Sequence, residues 1–258
     1  MASIAINKEV WGNNIFWEKN LNEGEKWSGG WGSSLAQFIV TIYPRICEYM
    51  GNGNILEIAP GYGRWTKFLI EFYEHYQGVD LNLNCVNHCK SKFSSISNCF
   101  FINDGYTLPM INENTIDFVF SYDSLVHADF DVMKSYLQEI KRVLKVGGYA
   151  FIHHSNLYEV TFEEECNSHM RSHNVNARVI MNYCKDINLK IVSQEVLNWD
   201  SKENNLIDCY TIIQNAEFDN NMNFITSNVN IEREYAKNFS GTIYNEIFKN
   251  LKKNKEKK

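Results

Sequence analysis

Apolar and polar positions alternate along this chain in two periods, and the switches between them outline a fold. Ile55, Leu56 and Ile58 form a short apolar run that carries one carboxylate, Glu57, and breaks at Gly61 and Gly63. Trp65, Phe68, Leu69, Phe72 and Tyr73 follow at offsets of three and four, the spacing of one helix face. Tyr76 to Asp80 reads as a second strand, Phe100 to Gly105 as a third ending in Asp-Gly, and Ile116 to Ser121 as a fourth. Val132, Met133, Tyr136, Leu137, Ile140, Val143 and Leu144 repeat at helical spacing until Gly147-Gly148 ends them, and a fifth strand runs on to Ile152. Strands alternating with helices predict an α/β fold, with a mainly parallel sheet and helices on both faces.

The pattern changes after Asn156. Leu157 to Asn174 is polar and irregular, and Ala177, Val179, Ile180, Tyr183, Cys184 and Ile187 then predict a helix. Leu189 to Trp199 and Leu206 to Ile213 read as two strands around the turn-prone Asp200 to Asn205, and an amphipathic helix is expected near 231–251. Residues 1–50 precede the first strand and hold Trp11, Trp17, Trp27 and Trp31. Gly24 to Gly32 is polar and glycine-rich, which predicts a loop. Ser33 to Tyr49 predicts a helix broken near Pro44, which cannot donate to the helical ladder.

Strand, glycine turn, helix is how an open parallel sheet builds a nucleotide pocket. Glycines there let the backbone approach a ligand. A dinucleotide fingerprint wants a third glycine where Thr66 stands, and a P-loop would need a Gly-Lys-Ser/Thr ending that Gly63-Arg64-Trp65 does not supply. A carboxylate near the end of a buried strand is costly unless something positive meets it. Glu57 therefore suits the ammonium and sulfonium of S-adenosylmethionine better than a pyrophosphate, unless it caps a neighbouring helix.

The run Glu57 to Thr66 resembles motif I of the class I S-adenosylmethionine-dependent methyltransferases, acidic-x-Gly-x-Gly-x-Gly, with Ala59 in place of the first glycine. The resemblance covers roughly Gly53 to Asn156. It implies a Rossmann-like fold with a seven-stranded sheet ending in an antiparallel hairpin, and S-adenosyl-L-methionine as cofactor. It assigns Glu57, Ala59, Gly61 and Gly63 to the glycine loop, Asp80 and Leu81 to the ribose, Asp104 and Gly105 to the adenine, and Ser121 and Tyr122 to the fourth strand end. It also implies that residues 1–50 close over the cofactor as an aromatic lid, with packing of the tryptophans on the sheet as the alternative. Residues 51–258 would then form the methyltransferase domain, with an acceptor-binding insertion at 157–174.

Composition narrows the partners. A chain of 258 residues that is 44% hydrophobic can bury one good core, so one domain with appendages is expected. A net charge of −6 offers no broad basic surface for nucleic acid, and the Lys249 to Lys258 tail reads as a solvated helix end. No apolar run reaches the roughly 18 residues that cross a bilayer, and no basic and apolar leader opens the chain. Seven scattered cysteines give no disulfide framework, and Lys92 stands where a third cluster cysteine would follow Cys85 and Cys89. A cytoplasmic enzyme of a small-molecule acceptor is expected, with self-association left open.

Ligands in open α/β sheets bind beyond the carboxyl ends of the strands. Ser121 to His127 follows the fourth strand there, and His153-His154-Ser155-Asn156 ends the fifth. A sulfonium supplies an activated methyl group, and an alcohol acceptor must also lose a proton. Histidine titrates in the useful range, so His127 or His154 is expected as base and Asp123 as its orienter. His153 and His154 point to opposite sides of a strand, so at most one faces the acceptor. No tight His-x-His or His-x-x-x-His spacing supports a metal, and none is expected. Trp31, flanked by glycines, His153 and Asn156 are candidate acceptor contacts, and Arg171 a clamp for phosphate or carboxylate or else a surface ion pair. Lys26-Trp27-Ser28, Ala59 to Thr66 and His153 to Asn156 together resemble a bacterial methyltransferase group of surface-polysaccharide pathways, which implies O-methylation of a sugar, sugar nucleotide or phosphate-bearing precursor. A small-molecule N-methyltransferase and an NAD-dependent oxidoreductase are the rivals.

Overall fold

Alternation inside each strand decides what each face of the sheet buries. The computed structural model describes residues 3–157, 170–199 and 205–255. Its strands are β1 (Asn54–Ile58), β2 (His75–Asp80), β3 (Phe100–Ile102), β4 (Ile116–Ser121), β5 (Leu144–Ser155), β6 (Lys190–Asn198), β7 (Asp208–Gln214) and β8 (Asn223–Asn228). Its helices are α1 (Ile4–Trp11), α2 (Ser34–Gln37), α3 (Tyr43–Ile46), α4 (Thr66–Leu69), α5 (Leu83–Lys92), α6 (Phe130–Val143), α7 (Ala177–Asp186), α8 (Val229–Lys237) and α9 (Gly241–Lys255). Ile55, Phe118, Phe120 and Phe151 face one core with Phe38, Ile42 and Ile46, while Leu56, Val119, Ala150 and Ile152 face a second with Met133, Leu137 and Ile180. A sheet buried on both sides is what near-continuous apolar strands require.

The order is β3-β2-β1-β4-β5-β7-β6-β8. β1 to β5 pair in parallel, and β7 runs antiparallel between β5 and β6. The chain leaves β1 toward β2 on one side and later returns to β4 on the other. This reversal opens a crevice at the carboxyl ends of β1 and β4. The fold is Rossmann-like, as the alternation predicts.

Several elements differ from expectation. The sheet has eight strands rather than seven, because β8 adds in parallel to the outer side of β6. Its residues are mostly exposed, so no burial pattern announced it. The segment expected as a loop forms tight helical turns over Asn22–Trp31, with left-handed backbone at Glu23 and Gly24. The helix containing Pro44 is not interrupted. Phe38–Ile42 widens to a five-residue turn and the Tyr43 amide donates to the Phe38 carbonyl, leaving Pro44 in the first turn of α3 where its missing N–H costs little. The terminal helix is two, α8 and α9, separated at Asn238 to Ser240. Most of the expected insertion at 157–174, and the turn of the β6–β7 hairpin, lie outside the described residues.

Candidate active site

β1 runs into a turn in which Ala59, Gly61 and Gly63 take φ of 58°, 57° and 79°. Glycine accepts this conformation freely, whereas alanine at the first position costs roughly 1 kcal/mol. The turn reverses the chain so that the Gly61 amide donates to Asp80 Oδ2 at 3.0 Å, and the Asn82 amide donates to Asp80 Oδ1 at 2.8 Å. The Asp80 carboxylate is thus fixed at the end of β2, and its burial pushes its pKa up to about 6. A Cβ on Gly61 would come within 2.6 Å of the Trp17 ring, so this glycine also admits the N-terminal segment. Trp17 stacks on Tyr62 with centroids 4.9 Å apart, and its indole N–H donates to the Trp11 carbonyl at 2.7 Å.

A solvent-open cleft of about 900 Å³ lies over this turn. Ala59, Gly61, Asp80, Leu81, Gly105 and Tyr136 line it from the strand ends and α6. Trp11, Trp17, Trp27, Arg64, Asp123 and His127 line it from the N-terminal segment and from the loops after β1 and β4. Tyr122 also lines the cleft, and its hydroxyl lies 2.6 Å from that of Tyr210 and accepts from Gln37.

Three residues expected at the cofactor sit differently. Glu57 does not reach the cleft, and the hydroxyls of Thr66 and Tyr76 both donate to its Oε2 at 2.6 Å. Hydroxyls, rather than a cationic ligand, meet this buried acid, and burial lifts its pKa to about 7. The Asp104 carboxylate accepts from the Tyr106 and Thr107 amides and the Thr107 hydroxyl, closing a turn, so only its neighbour Gly105 lines the cleft. Ser121 is buried and donates to the Ile58 carbonyl at 3.1 Å, which joins β4 to β1.

Among the candidate bases, β5 separates the histidines. His154 is wholly buried, with Nε2 2.8 Å from the Thr211 hydroxyl and Nδ1 2.8 Å from the Ser155 carbonyl. It does not line the cleft, and burial pulls its pKa down to about 4. His153 faces the other way. Its Nδ1 stands 3.2 Å from both the amide and Oδ1 of Asp123, and its Nε2 is 3.3 Å from Asp208 Oδ2, near enough for Coulombic attraction but without hydrogen-bond alignment.

Arg64 pairs with Asp123 on one side, and Arg171 pairs with Asp208 through two bonds of 2.6 and 2.7 Å on the other. The result is two ion pairs with His153 between them, in the order Arg64, Asp123, His153, Asp208, Arg171. Burial alone would raise both carboxyls, but Arg64, Arg171 and His153 hold them well below the usual carboxylate range. Burial would likewise lower His153, and the two carboxylates raise it instead.

His127 is the histidine that lines the cleft. Its Nδ1 lies 3.1 Å from the Met170 carbonyl, which can only accept, so Nδ1 carries the proton and Nε2 a lone pair. Burial drops its pKa to about 4, which keeps the ring neutral. The Met170 backbone is left-handed at φ 62°. The next two residues are pinned as well, Arg171 by Asp208 and Ser172 by the Val126 carbonyl, which accepts from its amide at 2.9 Å. Asp123, expected as orienter of the base, serves Arg64 and His153 instead.

Two proposed acceptor contacts are structural. Trp31 is 2% exposed, donates to the Thr41 hydroxyl at 2.8 Å and does not line the cleft. Asn156 donates to the Leu206 carbonyl and accepts from the Ala177 amide at the start of α7.

Residues 55–148 match the methyltransferase domain family. This span is an S-adenosylmethionine-dependent methyltransferase domain. A fatty-acid O-methyltransferase from Mycolicibacterium smegmatis is 32% identical over 99 residues, 37% of this chain and 35% of that protein. A phosphoethanolamine N-methyltransferase from Plasmodium falciparum is 26% identical over 106 residues, 41% of this chain and 40% of that protein. The chain therefore matches well under half the length of these relatives. Among solved structures, an S-adenosylmethionine-dependent methyltransferase from Clostridium acetobutylicum superposes with a TM-score of 0.54 at 16% identity, over 70% of this chain and 90% of that one. At that identity the likeness is one of fold.

Several residues of the cleft and of the wall behind it come from signals that sequence reasoning passed over. Arg64 stands inside motif I itself, directly after Gly63. Trp11, Trp17 and Trp27 belong to the aromatic N-terminal segment, from which Trp31 was the wrong choice for the cleft. Asp208 opens β7, and antiparallel pairing of Ser155 with Asp208 carries it to the carboxyl edge of β5.

Proposed function

We propose that the whole chain is an S-adenosylmethionine-dependent O-methyltransferase of a small hydroxylated molecule, with His127 as general base. The observation that carries this reading is the neutral His127 ring on the cleft, its Nδ1–H held by the Met170 carbonyl and its Nε2 left as an acceptor. The cofactor, when bound, supplies the activated methyl group. Asp80 fits its ribose hydroxyls, because two amides already orient the carboxylate at the cleft. Leu81, Gly105 and Tyr136 offer the apolar surface and close backbone that an adenine needs. Trp11, Trp17 and Trp27 act as a lid that keeps water from the acceptor, and His127 Nε2 takes the acceptor proton as its oxygen becomes nucleophilic. The narrower acceptor, a sugar, sugar nucleotide or phosphate-bearing precursor in surface-polysaccharide synthesis, rests on the motif resemblance alone.

An amine acceptor is the second reading, favoured by three clustered indoles beside the Asp123 carboxylate, a setting that suits an alkylammonium. A panel of alcohols and amines assayed with a labelled methyl donor separates the two. Transfer to alcohols that collapses in His127→Ala supports the base assignment; transfer to amines alone, indifferent to that change, overturns it. No helix among the described residues is long and apolar enough to cross a membrane, and we place the reaction in the cytoplasm.

A further inference from the structure

The chain has six arginines, and most of them are matched by a carboxylate. Arg45 meets Glu195 and Glu232, Arg64 meets Asp123, Arg142 meets Glu139 and Arg171 meets Asp208. Arg171 was the expected clamp for an anion, yet Asp208 already neutralises it. Arg233 is the contrasting case. It forms no ion pair among the described residues, and its guanidinium sits over the corner of an edge-to-face indole pair, 4.6 Å from the Trp31 ring and 4.9 Å from that of Trp199, whose centroids are 6.1 Å apart. Its Nη1 reaches only Asn230 Oδ1, at 3.3 Å. Its Nε is buried without an acceptor, packed over Gly30, where a Cβ would come within 2.8 Å. A second buried donor without an acceptor, Trp199 Nε1, belongs to the same cluster. Desolvation lowers the Arg233 pKa, against the opposing pull of Tyr122, Tyr210 and the Asp123 carboxylate.

Removing a cation from water without a partner is expensive, and each unmet buried donor adds to that cost. Such a group persists where a ligand completes it. This cluster is adjacent to the proposed acceptor wall, since the Trp199 ring stacks toward His153 with centroids 6.4 Å apart, and His153 touches Asp123. Asn230 fixes the arrangement, donating to the Trp199 carbonyl at 3.1 Å while accepting from Arg233.

We propose that Arg233 and Trp199 form an anion subsite that receives a phosphate or carboxylate carried by the methyl acceptor. The inference rests on the acceptor reading above only for the identity of the anion's carrier. The guanidinium supplies charge and its unmet Nε donor, and the indole N–H adds a neutral one. Trp31 and Trp199 hold the fork rigid, so little side-chain entropy is lost on binding.

Binding of inorganic phosphate, and separately of acetate, to the full chain saturated with S-adenosylhomocysteine tests the subsite by calorimetry. Arg233→Met keeps an apolar stem against the indoles and removes the charge, so phosphate affinity is expected to fall at least tenfold while S-adenosylhomocysteine affinity is unchanged. Trp199→Phe keeps the ring, removes the donor and is expected to weaken phosphate several-fold. Arg233→Lys retains the charge and guards against a folding defect in the methionine variant, with binding expected between the two. Preference for phosphate over acetate marks a phosphorylated acceptor, and the reverse a carboxylate. Equal phosphate binding by the wild type and Arg233→Met, or none by the wild type, overturns the subsite. Because the readout is binding, loss of alcohol methylation in the wild type would remove the O-methyltransferase reading and leave the subsite standing.

Discussion

The strand-end side of the cleft and its opposite wall are assembled over different distances and carry opposite electrostatics. On the strand-end side, Asp80 is fixed by amides two and nineteen residues away. On the wall, the Asn7 side chain donates to the His127 carbonyl across 120 residues, and His153 meets Asp208 from another strand. The acids follow suit. Glu57 and Asp80 are raised by burial to about 7 and about 6, whereas Asp123 and Asp208 are held low by arginines. One side holds buried acids close to protonation, Asp80 at the cleft and Glu57 behind it; the other keeps its acids ionised against arginines. A cofactor site can be local because its ligand is constant, while an acceptor wall draws on distant segments.

The largest expected effect strikes the wall. His127→Ala should lower turnover about 100- to 10,000-fold, the range of a lost general base, with cofactor affinity unchanged in calorimetry. Since the base works unprotonated, kcat/KM should fall as pH drops through about 4. An acid limb near the ordinary histidine value would break the assignment. Next comes Arg171→Leu, which strands Asp208 in the interior and should destabilise the fold by about 3–5 kcal/mol in urea melts. The Asp208 carboxyl is depressed, so its contribution is present above the ordinary carboxylate range and lost as pH falls through its folded value.

Glu57 reverses that sign. Its folded pKa is raised from 4.5 to about 7, so its contribution is lost as pH rises through about 7. Relative to Glu57→Gln, the wild type should lose about 3 kcal/mol between those limits, at roughly 1.4 kcal/mol per unit. Parallel stability-pH curves for the two proteins would erase the contrast between the sides. Asp80→Ala should weaken S-adenosylmethionine by roughly 100-fold, about 2.7 kcal/mol, and lower the melting temperature as well, because the Gly61 and Asn82 amides lose their acceptor. The smallest effect is Ala59→Gly. Relief of left-handed strain at φ 58° should stabilise the chain by about 0.5–1 kcal/mol in thermal melts.

The strand-end side was legible because its groups sit at strand ends that periodicity locates. Gly61, Gly63, Asp80 and Gly105 lie where the alternation of elements predicts, and Ala59 reveals its departure from motif I through its left-handed φ. Glu57 and Asp104 show the limit even there. A sequence names the acid but not the hydroxyl or amide that will reach it first, and Thr66, Tyr76 and Thr107 claimed both. On the wall, strand alternation said that one of His153 and His154 faces the site without saying which. The packing of β7 decided it, by offering Thr211 to one histidine and Asp208 to the other.

By itself the sequence determined the strand-helix alternation, the glycine turn after the first strand, the acid that ends the second and the antiparallel hairpin. Periodicity and turn chemistry act over a few residues, and the chain states them directly. Only tertiary structure decided that Trp11, Trp17 and Trp27, rather than Trp31, line the cleft, that Met170 sets the proton on His127, and that Arg233, unlike Arg45, Arg64, Arg142 and Arg171, has no carboxylate partner among the described residues. Those outcomes depend on which side chains meet across 40 to 190 residues of separation, and a contact of that kind is fixed by the packing of whole elements rather than by any local pattern.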